Sequence, residues 1–202
     1  MSKAMVSGVL GIVMAGAGWM VAGPAQAADD WLIRARVIHV APDVSATLAG
    51  VDVNDQTTAE LDFTYFLNKN VGVELILATT RHEVTLNGAS LGTVGVLPPT
   101  VTMQYHFNPD GRVKPYVGAG VNYTRFYNVS LDRVLPLDVD RNSWGGALQL
   151  GLDLALDKGS YLNFDVKKIY IKTDVRNAAT GAHVTYLKID PVVFGIGYGR
   201  RF

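Results

Sequence analysis

The stretch SWGGALQLGLDLAL, residues 143–156, decides the fold. Trp144, Gly146, Leu148, Leu150, Leu152, Leu154 and Leu156 share one parity. Ser143, Gly145, Ala147, Gln149, Gly151, Asp153 and Ala155 share the other. A helix would scatter those leucines round its circumference, whereas a strand puts them all on one face.

The same period of two runs outward in both directions. Upstream, Val117, Ala119, Val121 and Tyr123 alternate with Tyr116, Gly118, Gly120, Asn122 and Thr124. Val101, Met103, Tyr105 and Phe107 alternate with Thr100, Thr102, Gln104 and His106. Val71, Val73, Leu75 and Leu77 face away from Gly72, Glu74, Ile76 and Ala78, and Leu61, Phe63, Tyr65 and Leu67 from Glu60, Asp62, Thr64 and Phe66. Downstream, Val192, Phe194, Ile196, Tyr198 and Phe202 oppose Val193, Gly195, Gly197 and Gly199. Segments near 31–41 and 161–173 alternate less cleanly, and bring the number of predicted strands to eight. Short turns follow the even strands: Asn68-Lys69-Asn70, Asn108-Pro109-Asp110-Gly111 and Asp157-Lys158-Gly159-Ser160. Long polar loops are expected after the odd ones, at about 42–56, 84–97, 127–142 and 174–184. Short connections at one end and long ones at the other predict an all-β, eight-stranded antiparallel up-and-down meander.

Such a barrel is soluble if its large apolar residues point inward, and a membrane barrel if they point outward. The small face decides. Glycines at 118, 120, 145, 151, 195, 197 and 199 share it with Asn122, Gln149 and Asp153. Small and polar side chains suit a crowded interior; Leu and Phe suit lipid. We therefore expect a transmembrane barrel in the outer membrane of a Gram-negative bacterium, with membrane lipid as its surroundings and odd strands running outward. Trp31, Tyr65, Tyr105, Phe107, Tyr198 and Phe202 then fall at the periplasmic interface, and Tyr123 and Trp144 at the outer one.

Composition agrees. The 202 residues hold 18 Lys+Arg and 18 Asp+Glu, so no basic surplus exists to bind nucleic acid. The absence of cysteine excludes a disulfide scaffold and a thiol nucleophile. Lys3, the apolar run Ala4–Gly23 and the ending Ala25-Gln26-Ala27 have the form of a secretory leader, so residues 1–27 are expected to be a cleaved signal peptide and 28–202 the barrel. A retained anchor helix is the alternative for the leader.

Several motifs occur together: KPYVGAGVNYT (114–124), NVGVELILAT (70–79), LPPT (97–100), SWGGALQLGLDL (143–154) and KIDPVVFGIGYGRRF (188–202). In this order they resemble the OmpW/AlkL family of small outer-membrane barrels, over about the whole mature chain. The resemblance implies an eight-stranded barrel with a hydrophobic lumen, and passive uptake of small hydrophobic molecules with lateral release into the membrane. Two departures are visible. Arg200 stands where the family has an aromatic, and Lys167-Lys168 occupies the seventh strand, so no aromatic gate is carried over.

The inward residues sort by height. Arg34, Arg36, Asp62, Glu74, Gln104, His106, Gln149, Asp153, Asn163, Asp165 and Lys167 lie in the periplasmic half and form a polar floor. Charges in a narrow tube must pair, so the mixture reads as a plug and not as a selectivity ring of one sign. Above it the inward positions turn apolar: Ile38, Val40, Ile76, Ala78, Ile169, Ile171, Leu187 and Ile189. That funnel suits an apolar solute. A β-bulge at Lys167-Lys168 would instead turn Ile169, Ile171, Leu187 and Ile189 to lipid; both readings stand. Pro98-Pro99 is read as the opening of strand four. For Pro191, a strand end and a lateral way out are equal readings.

Catalysis and metal binding find little support. No inward serine accompanies His106, and His39, His82 and His183 read as solvated residues at the outer rim or in loops. Neither a catalytic group, a metal nor a cofactor is expected. The other class of function is a structural or receptor barrel that binds partners through its outer loops.

Overall fold

A computed structural model describes residues 30–134 and 136–202. The signal peptide expected at residues 1–27 lies outside the described residues. Among the described residues there are fifteen strands: β1 Trp31–Ala41, β2 Ser45–Ala46, β3 Val51–Val53, β4 Gln56–Phe66, β5 Val71–Ala78, β6 Thr80–Leu86, β7 Ala89–Leu97, β8 Thr100–His106, β9 Val113–Ser130, β10 Leu137–Val139, β11 Asn142–Asp157, β12 Ser160–Ile169, β13 Lys172–Asn177, β14 His183–Lys188 and β15 Val192–Arg201.

Eight of them close a barrel. Each stave pairs antiparallel with the next, in the order β1, β4, β5, β8, β9, β11, β12, β15, and β15 pairs back to β1. The leucine-bearing stretch is β11, held between β9 and β12 with unbroken register from Leu154 to Ala147. Its leucines are outside: Leu148 and Leu150 are exposed while Gln149 and Asp153 are buried. An apolar exterior over a polar interior inverts the soluble arrangement, and it leaves lipid as the solvent of the wall.

Two of the expected loops are strands. Residues 84–97 fall within β6 and β7, a hairpin turning at Asn87-Gly88, both in the left-handed region at φ 50° and 81°. Residues 174–184 fall mostly in the β13–β14 hairpin. Both hairpins continue their staves upward. β9 carries on to Ser130 and pairs with β7, giving a β9-β7-β6-β3 wall. A separate four-stranded sheet, β10-β13-β14-β2, stands beside it. The connections stitch the two together. Thr47 N–H donates to Tyr186 O of one hairpin, and Asn87 N–H of the other donates to Gly50 O. Leu131 bridges Leu137, and Arg133 N–H donates to Leu91 O.

Pro98-Pro99 also departs from expectation. The prolines do not open stave four; they interrupt it between β7 and β8. Having no N–H to give, they break the ladder without ending the stave.

Candidate functional site: a sealed polar floor beneath an apolar cavity

The floor begins with β1, whose alternation sends Arg34 and Arg36 inward, both buried. Arg34 grips Asp153 with two bonds, Nε to Oδ1 at 3.2 Å and Nη2 to Oδ2 at 2.8 Å, and its Nη1 reaches Asp62 Oδ1 at 3.0 Å. Arg36 donates from Nε to Glu60 Oε1 at 2.7 Å, and its Nη2 lies 2.6 Å from Asp62 Oδ2 and 3.2 Å from Glu74 Oε1. Lys167 bridges Glu60 and Asp165. Amides and hydroxyls add further donors to these carboxylates. Thr102 donates to Glu74, Gln149 Nε2 to Asp165 at 2.7 Å, Asn163 Nδ2 to Asp153 at 2.7 Å, and Gln104 Nε2 to Gln149 at 3.1 Å.

Every expected floor residue thus lies inside the tube and belongs to one network. Four further residues join it: Glu60, Thr64, Thr102 and Tyr116. Glu60 shares the inward face of Asp62, and joins Arg36 to Lys167. Tyr116 is fully buried; His106 stacks on its ring at 4.9 Å. Its parity with Gly118 and Gly120 was the available signal. Below, Leu32, Phe66 and Tyr161 pack together at the periplasmic end, with Arg201 over the Phe66 ring. The floor is therefore shut by charge pairing and then by apolar packing.

Above it the lining changes. A cavity of about 90 Å³ is bordered by Ile38, Val40, Ile76, Ile169, Ile171, Leu187 and Ile189. The β12 register runs unbroken through Lys167, Lys168 and Ile169, so no bulge turns the isoleucines outward. Lys168 faces out and pairs with Asp43 at 2.9 Å. The hairpins add Val84, Leu91, Val94, Val96 and Val175, and β9 adds Phe126. These lay in or beside segments read as loops; Asn87-Gly88 between alternating residues was the signal for the first hairpin. His82 lines the same cavity and is buried, not solvated: its Nδ1 lies 2.8 Å from Asn54 O. Leu48 and Val184 border the cavity while 42% and 38% exposed, which marks its mouth at the outer end.

The wall is weak beside Pro98-Pro99, between β5–β6 and β7–β8. Pairing of β5 with β8 stops at Ile76 and Thr100, and pairing of β6 with β7 resumes at Thr80 and Val96. Between them Thr79 Oγ1 donates to Val96 O. The corresponding interval at Pro191 is laced shut. Ile169 N–H donates to Pro191 O, Ile189 N–H to Ile171 O, and Ile171 N–H to Asp190 Oδ1.

The aromatics form two outward sets. Trp31 packs on Tyr65 at 5.1 Å and Tyr105 on Phe107 at 5.1 Å, with Tyr198 and Phe202 exposed at the same end. Tyr123 packs on Trp144 at 4.8 Å at the other. Tyr and Trp at two levels are characteristic of the two membrane interfaces. Among the described residues, no three metal-ligating side chains converge.

Comparison with known proteins fixes the family. The OmpW family model matches residues 27–202. The chain belongs to the OmpW family. An uncharacterized outer-membrane protein, y4mB, of Sinorhizobium fredii is 41% identical, covering 89% of this chain and 83% of its own. The dibenzothiophene metabolism operon protein PahQ of Pseudomonas aeruginosa is 31% identical, covering 90% and 93%. The crystal structure of OprG from Pseudomonas aeruginosa matches with a TM-score of 0.75 at 31% identity, over 87% of this chain and 96% of that one. This OmpW-family barrel accordingly resides in the outer membrane of a Gram-negative bacterium, its wall in contact with lipid. Its short-turn end, where Asp30 and Phe202 lie, is periplasmic, and its hairpins are outside.

Proposed function

We propose that the protein gives small hydrophobic molecules a passive route across the outer face of the membrane. They enter the apolar cavity from outside and leave sideways into the bilayer. One observation carries this reading: an apolar cavity, open near Leu48 and Val184, stands on a floor that is closed by paired charges. A solute that enters cannot continue down the axis. The interval between Ile76–Thr100 and Thr80–Val96 is the exit we assign, because prolines there withhold ladder donors. Transfer from water into the cavity gains roughly 25 cal/mol per Å² of apolar surface. Passing from there into lipid costs little, since the two are alike in polarity. A relative named for a dibenzothiophene metabolism operon supports an apolar substrate. No catalytic role is assigned.

The test is uptake in cells. Ile76→Lys or Ile189→Lys places a charge on the cavity wall, and should cut entry of an alkane-like or fatty-ester probe while leaving sugar entry unchanged and the barrel folded. Probe entry at the parent rate in both variants would favour a barrel that binds partners through its outer hairpins.

A further inference from the structure

Lys172 and Lys188 are direct cross-strand partners in the β13–β14 hairpin. Both are exposed, and their neighbours Thr173 and Leu187 point into the barrel, so the two lysines share the outward face. Directly opposed residues hold their Cβ atoms about 5 Å apart, and like charges there repel. Nearby acids are engaged elsewhere. Asp43 pairs with Lys168 and Asp140 with Arg176, Asp174 Oδ1 stands 3.5 Å from the His183 ring, and Asp190 accepts the Ile171 N–H. Among the described residues neither ammonium has a carboxylate partner.

The height of the pair identifies what would neutralise it. Lys172 N–H donates to Ser143 Oγ, which sets the pair beside the start of β11 and Trp144. Trp144 is 68% exposed and stacks with Tyr123 at the outer interface. Phosphate groups of the outer leaflet lie at that level, and a Lys near a membrane surface attracts such anions. Lys168, four residues below on the same face, is already paired with Asp43, so the unbalanced positive charge is that of the two hairpin lysines. Tyr170 and Tyr186, exposed on the same outward parity, offer flat surface to a sugar or acyl chain.

We propose that Lys172 and Lys188 clamp a phosphate of a phosphorylated glycolipid of the outer leaflet. The lipid then supplies the counter-charge that the strand pair lacks, and fixes the hairpin that walls the cavity. The site is on the outside of the barrel and does not depend on transport through it.

Bisphosphorylated lipid A is titrated into the full-length protein in neutral detergent, with binding and thermal unfolding read together. The parent should bind and melt at a higher temperature as lipid is added, because a ligand of the folded state stabilises it. Lys172→Gln/Lys188→Gln should bind at least about fivefold more weakly per lysine removed, the equivalent of about 1 kcal/mol each. The same variant should melt no lower than the parent without lipid, since only a repulsion is lost. Lys158→Gln, an exposed lysine in a periplasmic turn, is the control and should bind as the parent does. Equal binding by the double variant, or equal loss in the control, would overturn the assignment. Stabilisation of the parent by inorganic phosphate alone, matching that by lipid A, would overturn the lipid as the occupant.

Discussion

Arg34 and Asp153 lie 119 residues apart in sequence and meet inside the barrel, two parallel hydrogen bonds joining the guanidinium to the carboxylate. β1 and β11 are not neighbours in the wall; the contact crosses the lumen. The pair therefore both seals the tube and ties opposite walls together.

Removing one member of the network leaves its buried partners short of a counter-charge. Asp153→Leu and Arg36→Leu should each cost about 3–5 kcal/mol of stability. Denaturant unfolding in micelles measures this, and single-channel conductance should rise in parallel. Unchanged stability and conductance in both would mean that water, not pairing, satisfies these charges.

Tyr116 occupies space that Gly151 vacates. A Cβ on Gly151 would stand 2.1 Å from Tyr116 Cζ and 2.3 Å from its hydroxyl. Gly151→Ala should lose roughly 1–3 kcal/mol through overpacking. Adding Tyr116→Leu should recover part of that loss, because the ring that clashes is gone. A double variant no more stable than Gly151→Ala would place the clash elsewhere.

His82 lies in the outer β6–β7 hairpin, and burial holds its pKa below the ordinary histidine value. Its folded pKa is depressed, so the unfolded hairpin binds the proton more readily. Stability is then complete above about pH 6.5, the unfolded value, and is lost as the pH falls below it. Protease cleavage within residues 80–97 should quicken between pH 7.5 and pH 5 in the parent. His82→Leu should flatten that dependence; an identical pH profile in the variant would assign it to another group.

The sequence by itself determined the barrel, its strand parity and its outward apolar face. Period two is a backbone property, and alternation along one strand such as β11 needs no knowledge of any other. It also placed Arg34, Asp62, Glu74 and Asp165 on the inner face, since parity alone assigns a side. Tertiary structure alone decided which inward residues meet. Lys167 with Glu60, or Arg36 with Asn163, depends on closure and stagger of the staves, which bring residues more than 100 positions apart within hydrogen-bond distance. It decided as well that residues 84–97 and 174–184 continue as strands. Their polar outer faces made them read as loops, yet their inner faces bury Val84, Val94, Val96 and Val175 against each other. Above the membrane a strand no longer needs an apolar exterior, so the pattern that announces the wall fades where the cavity is built.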